Sequence, residues 1–274
     1  MSAGEPAMSQ EEYLLLNELI SDQFGVCFPE HRRDVLESRL RPRLRTLRLQ
    51  RYWDYYLQVQ SDPRGERERL AELVTNNETF FFRETQPMQA FFAESALRTG
   101  PPLRVLSAGC SSGEESYTMA IQARLQAFGP APGRLAIDAF DVDGSRIAAA
   151  QEAEYGRNSL RSLDPADVAL YFTPLGNERW ALRAPYREGV RFAWGNILDL
   201  ATFRPAELYD AVFCRNVLIY FSEVALHRAV RNFAQVLRPG GLLFLGTAES
   251  IIGMSECFET VRLGRTIAYR KVGP

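Results

Sequence analysis

Leu103-Arg-Val-Leu-Ser-Ala-Gly-Cys-Ser-Ser-Gly-Glu-Glu-Ser-Tyr117 decides the fold. An apolar run, 103–109, ends in glycine, and a helical pattern, EESYTMAIQARLQAF, starts at Glu114. Gly109 and Gly113 let the chain turn tightly and come close to a ligand. The same succession repeats downstream. LAIDAFDVD (135–143) leads into SRIAAAQEA, and VRFAWGNIL (190–198) and YDAVFCRN (209–216) follow. A helical pattern from Ser222 to Leu237 then precedes GLLFLGT (241–247), and FETVR with RTIAYRKV reads as an antiparallel pair. Strands alternating with helices imply βαβ units and a mostly parallel sheet. Residues 173–189, with Pro174, Gly176, Pro185 and Gly189, break the alternation and predict a small insertion.

Ahead of a linker at Gly100–Pro102 the pattern is helical throughout. Ser9 and Glu12 form a capping box before Tyr13, Leu16, Leu19 and Ile20, and Gly25 stops that helix. Val35, Leu36, Leu40, Leu44 and Leu47 recur at helical spacing, with Pro42 expected to kink or split the helix. RYWDYYLQVQ and RERLAELV give two further short amphipathic pieces, and no internal repeat is visible.

The 274 residues allow one large domain or two smaller ones. With 46% hydrophobic and 24% charged residues, the chain is neither disordered nor fibrous. A net charge of −2 argues against a general nucleic-acid coat protein, so no nucleic-acid partner is expected. Cys27, Cys110, Cys214 and Cys257 are far apart and form no CxxC, so neither a zinc site nor any other metal site is expected. A reduced, cytoplasmic setting follows. The N-terminal MSAGEPAMSQEEY lacks the apolar core of a signal peptide, and no apolar run is long enough to insert in a membrane. A monomer is the default expectation.

Five constellations carry chemistry. In SAGCSSGEE the spacing is G-x-x-x-G rather than a dinucleotide fingerprint. Glu114 and Glu115 would repel a pyrophosphate at the helix start but suit an ammonium group, which favours S-adenosylmethionine over a nicotinamide dinucleotide. An ordinary turn with solvated glutamates reads equally well. Asp141, at a strand end, can accept from both ribose hydroxyls, and Asp143 suits a helix N-cap. Asn196 could meet an adenine or simply make a turn. Arg215 and Asn216 end a buried strand, with Tyr220 five residues on from the arginine; Arg215 could equally be structural. Finally, Asn77, Thr79 and Arg83 surround Phe80-Phe81-Phe82 and suggest a lid, although the phenylalanines could be plain core.

NNETFFFRE, SAGCSSGEESY, AFDVD, GNILD, CRNVLIYF and LRPGGLLFLGTAES, in that order, resemble the CheR-type chemotaxis receptor methyltransferases over nearly the whole chain. The resemblance implies an α/β fold: a small N-terminal helical domain (1–98 with its linker), then a Rossmann-like S-adenosylmethionine-dependent methyltransferase domain (99–274). An inserted antiparallel β-subdomain would occupy 173–191. It implies methylation of receptor glutamates to methyl esters, with S-adenosylhomocysteine as the other product. Asn77, Thr79, Arg83, Glu115, Asp141, Asn196, Ile197, Arg215 and Asn216 match the family's cofactor contacts. Arg83 and Tyr220 match the pair nearest the transferred methyl. Ser116 stands where many relatives have proline. The short β-subdomain segment, with one glycine before its second strand, departs from relatives that dock a receptor C-terminal peptide there. A scaffold that binds the cofactor without turnover, or transfer to another acceptor such as RNA or a small molecule, stay open as alternatives.

Segment 31–51 holds eight arginines (32, 33, 39, 41, 43, 45, 48, 51) against Asp34 and Glu37. It reads either as a solvated helix face or as a docking surface for glutamate-rich receptor helices. On the docking reading, reversing Arg39, Arg43 and Arg45 should raise the receptor KM without touching cofactor binding.

Overall fold

The computed structural model describes residues 7–62, 65–95, 101–125, 135–199 and 208–273. They divide into two compact units. The first comprises the chain through Asn76 together with Tyr220–Arg228, and the second comprises Asn77–Ile219 and Ala229 onward.

The first unit is built from α1 (Gln10–Phe24), α2 (Arg33–Leu47), α3 (Tyr52–Ser61) and α4 (Gly65–Val74). The expected capping box is present at Ser9 and Glu12, and Gly25 ends α1 in the left-handed region at φ 82°. The aromatic ring of Phe221 packs so closely on Gly25 that a Cβ there would lie 2.7 Å from it. Backbone bonds from Cys27 N–H to Tyr220 O and from Ser222 N–H to Gly25 O fix the 220–222 segment in this unit. Leu16, Ile20, Leu36, Leu40, Leu44, Tyr52, Tyr55 and Leu70 fill the core.

Helix α2 is not split at Pro42 but runs through it. An interior proline costs about 3 kcal/mol, whereas fully burying Leu36, Leu40 and Leu44 gains roughly 1.5–3 kcal/mol each. Pro42 lies on the exposed face, and its carbonyl accepts from Thr46 Oγ1 at 3.0 Å.

The second unit contains α5 (Gln86–Ser95), α6 (Glu114–Leu125), α7 (Gly144–Glu152), α8 (Pro165–Tyr171) and the end of α9 (Glu223–Val236). Strands β1 (Leu103–Ala108), β2 (Leu135–Asp141), β6 (Val190–Trp194), β7 (Tyr209–Cys214), β8 (Leu237–Leu245), β9 (Phe258–Leu263) and β10 (Thr266–Lys271) form one sheet. Its order is β6-β2-β1-β7-β8-β10-β9. The first five are parallel, and β10 runs antiparallel to both β8 and β9. The order reverses at β1, which pairs with β2 on one side and β7 on the other, and the C-terminal ends at such a switch point are where open α/β sheets bind ligands. Phe91 and Phe92 of α5 pack with Phe213 and Phe244 of the sheet. That burial draws α5 into this unit, so the division falls at Asn76/Asn77 rather than near residue 99. Of the expected linker, Gly100 lies outside the described residues, as do residues 126–128 of the stretch expected to be helical from Glu114.

The insertion is larger than 173–191. A second sheet, in the order β3-β5-β4, joins β3 (Glu154–Gly156), β4 (Phe172–Gly176) and β5 (Arg179–Leu182), whereas residues 190–191 belong to β6 of the main sheet. Phe81 closes this small sheet, with its ring edge-on to Tyr155 at 4.8 Å and to Phe172 at 5.0 Å.

Candidate functional site

The polar groups of the second unit converge where β1, β2 and β7 end. After β1, Gly109 takes φ 77° and Gly113 takes φ 90°. A Cβ on Gly109 would lie 2.6 Å from Val217, and one on Gly113 would lie 3.0 Å from Ala150 and from Phe192. The turn is tied to β2 by the N–H groups of Gly109 and Cys110, which both donate to Phe140 O.

Asp141 ends β2 as a buried carboxylate. Its Oδ2 accepts from Ser111 N–H at 2.8 Å and its Oδ1 from Asp143 N–H at 2.9 Å. Burial pushes its pKa up to about 6 against the pull of these N–H donors. Asp143 is the N-cap of α7, accepting from the N–H groups of Ser145 and Arg146, and also accepts from Asn77 Nδ2 at 2.7 Å. Asn77 accepts in turn from Ser111 Oγ through its carbonyl. Asn77 is thereby held beside the turn and the β2 end.

The two glutamates diverge. Glu114 is buried and accepts from Ser112 and Ser159; burial raises its pKa, opposed by those hydroxyls. Glu115 stays half-buried, accepting from Ser107 Oγ and from Arg215 at 3.0 Å each. Only Glu115 therefore remains a candidate for an ammonium partner; Glu114 is committed to the fold. Arg215, its side chain 2% exposed, also pairs with Glu84 at 3.1 Å and donates to the carbonyls of Arg83 and Glu84. Its Nε–H is buried without a partner among the described residues. Asn216 follows in the left-handed region at φ 60°.

Beyond β6, Asn196 Oδ1 accepts from Leu198 N–H, which is the turn reading, and buried Ile197 gives its carbonyl to Asn232 Nδ2. Thr79 and Arg83 are half-buried. Arg83 donates to Glu78 O and lies 5.7 Å from the Phe80 ring, over which Arg161 also sits at 3.8 Å. The three phenylalanines thus divide: Phe81 is core, Phe82 stacks on Tyr171, and Phe80 carries cations. Tyr220, in the first unit, accepts from Asn76 Nδ2. Sequence reading missed Ser107, Ser111 and Glu84 as partners of the site. Glu84 ends the NNETFFFRE motif and Ser107 opens the turn, so both signals were present without their partners being readable.

The basic segment is partly internal. Arg43 forks onto buried Glu66 at 2.8 and 2.6 Å, and Arg39 donates to the carbonyls of Val74 and Thr75 at the end of α4. Arg41 pairs with Glu37 and Arg51 with Asp54. Arg32, Arg45 and Arg48 are exposed. Reversing Arg39 or Arg43 would therefore disturb the fold and cannot isolate docking.

Among the described residues no cluster of side chains could hold a metal ion, and no helix is long and apolar enough to cross a membrane.

Two family descriptions match: "CheR methyltransferase, all-alpha domain" over residues 11–75 and "CheR methyltransferase, SAM binding domain" over 77–267. The chemotaxis protein methyltransferase of Escherichia coli is 33% identical over 95% of this chain and 91% of its own length. The corresponding protein of Salmonella typhimurium is 33% identical over 92% of this chain and 88% of its own. Chemotaxis protein methyltransferase 1 of Pseudomonas aeruginosa is 29% identical over 94% and 97%. The matched spans meet at the division between the two units, and the strand-end carboxylates and glycine turn lie within the second, so the chain belongs to the CheR family of S-adenosylmethionine-dependent methyltransferases.

Proposed function

We propose that this methyltransferase esterifies glutamate side chains of chemoreceptors, in the cytoplasm and as a monomer, with Asn77, Thr79, Arg83, Glu115, Asp141, Asn196, Ile197, Arg215 and Asn216 holding the cofactor. The observation that carries the cofactor assignment is the donor set at the strand ends. Glu115 and Asp141 each keep acceptor capacity after their internal bonds. Arg215 keeps a buried N–H without a partner among the described residues. A ligand with an ammonium, a carboxylate and a ribose would satisfy all three groups. When bound, S-adenosylmethionine supplies an electrophilic methyl group.

An acceptor glutamate has an ordinary pKa near 4.3 and is already a nucleophile at neutral pH, so no general base is required. His31 and His227 lie outside the motifs. The protein's contribution is positioning: holding carboxylate and methyl in line supplies up to about 7–11 kcal/mol of the barrier. We assign Arg83 to orient the acceptor carboxylate and Tyr220 to donate to one of its oxygens. Support for Arg83 is that, among the described residues, a backbone carbonyl and one aromatic face engage its guanidinium, which has further N–H donors to offer a carboxylate. The exposed arginines of α2 and its flanks, Arg32, Arg45 and Arg48, are the docking surface for the acidic receptor helices.

The test is methyl transfer from labelled S-adenosylmethionine to receptor-containing membranes, followed by alkali. Release of the label as volatile methanol is the expected outcome, because esters hydrolyse. Label retained after alkali would point to a different acceptor group. Cofactor binding with no transfer to any receptor of the same source would make the chain a scaffold.

A further inference from the structure

The loop after β8 holds a carboxylate that neither the family's cofactor contacts nor the acceptor chemistry uses. Glu249 accepts four backbone N–H bonds. Its Oε2 takes Asn216 N–H at 2.9 Å and Gly246 N–H at 2.6 Å; its Oε1 takes Val217 N–H at 2.9 Å and Ile219 N–H at 3.2 Å. A carboxylate has about four lone-pair sites, so this one is fully used on main chain. Three of the four donors belong to the loop after β7, which starts with Arg215 and with Asn216 in the left-handed region. Val217, pinned by its N–H, also lays its side chain on Gly109, closely enough to bar a Cβ there. One carboxylate thereby keys three loops together: after β8, after β7 and after β1. These are the strand ends at which a parallel sheet binds its ligand.

We propose that Glu249 is a positioning residue that fixes the backbone of the 215–219 loop, and with it Asn216 and the glycine turn, in the geometry that receives the cofactor. This rests on the assignment of Arg215 and Asn216 to the cofactor. Consecutive N–H groups at a strand end have no ladder partner, and burying them unsatisfied is costly. The grip of one rigid anion sets their common direction.

The test uses the full chain and S-adenosylhomocysteine as the titrated probe in calorimetry. Glu249→Gln keeps the volume but turns an amide NH2 toward two N–H donors. Its expected effects are a Kd raised at least tenfold, faster amide exchange at Val217 and Ile219, and an unchanged KM for receptor. A merely structural loss would instead lower the fraction of chains that bind and leave the Kd of the remainder as in wild type. Should Glu249→Gln fail to fold, Gly246→Ala decides. Its Cβ would fall 2.8 Å from Asn216 Nδ2 and 2.9 Å from Glu249 Oε2, prising the same contact apart with the carboxylate retained. Arg215→Gln is the reference. If Arg215→Gln weakens binding while Glu249→Gln and Gly246→Ala bind as wild type, the positioning role is overturned and the site assignment stands. If Arg215→Gln itself binds as wild type, the site assignment falls and the proposal with it.

Discussion

Single side chains set the chemistry. Asp141 ends β2 with a pKa of about 6, raised from 3.8 by burial. In the proposed ribose contact, only the ionised carboxylate could accept from both hydroxyls. Cofactor affinity therefore holds above that value and falls as the pH drops through it, by about tenfold per unit well below. Calorimetric titration of S-adenosylhomocysteine between pH 5 and 8 should show this, and Asp141→Asn should flatten the profile at the weak limit. A wild-type affinity that is constant over the range would remove Asp141 from the ribose contact. The sign for folding is opposite. A carboxylate whose pKa is raised in the folded chain contributes a destabilisation that grows as the pH climbs from about 4 to about 6. The acceptor side is read by Arg83→Ala and Tyr220→Phe, for which kcat should drop at least tenfold while S-adenosylhomocysteine affinity changes less for Tyr220→Phe. Wild-type kcat in both would end their assignment to the acceptor.

Elements place these side chains, and their limits are steric. The turn from β1 into α6 needs glycine at 109 both for φ 77° and for the close pass of Val217. Gly109→Ala should cost at least tenfold in cofactor affinity, measured alongside the thermal midpoint, because the turn cannot move without displacing the loop after β7. Helix α2 shows the converse, a local rule overridden. Pro42 was expected to break it, yet three buried leucines on the opposite face outweigh the proline's cost. The same helix is tied to α4 by Arg43. Arg43→Ala leaves Glu66 buried without its cation and should lower stability by about 1.5–3 kcal/mol in denaturant unfolding. An unchanged midpoint would mean that Glu66 finds another partner.

At the scale of the whole molecule, charge and topology decide what the chain can meet. Part of the arginine-rich segment is committed to the fold through Arg39 and Arg43, whereas Arg45 and Arg48 are exposed. Reversal of Arg45 and Arg48 to glutamate should raise the receptor KM several-fold at low salt, with the difference shrinking as ionic strength rises and cofactor affinity unchanged. The same KM in variant and wild type at low salt would leave that face as a solvated surface. Most of this architecture was legible in the sequence. The alternation of strands and helices, the capping box at Ser9, the antiparallel ending and the glycine turn depend on neighbours a few residues away, and the order of motifs carried the family. Period, caps and turns are local, so the sequence by itself determined the element list, the α/β class and the residue types gathered at the strand ends. Tertiary structure alone decided the rest. It drew α5 into the second unit, extended the small sheet back to Glu154, bound Glu114 to Ser112 and Ser159 while pairing half-buried Glu115 with Ser107 and Arg215, and set Glu249 beneath a loop thirty-odd residues earlier in the chain. Each of these depends on which distant groups share a buried volume, and no spacing along the chain encodes that.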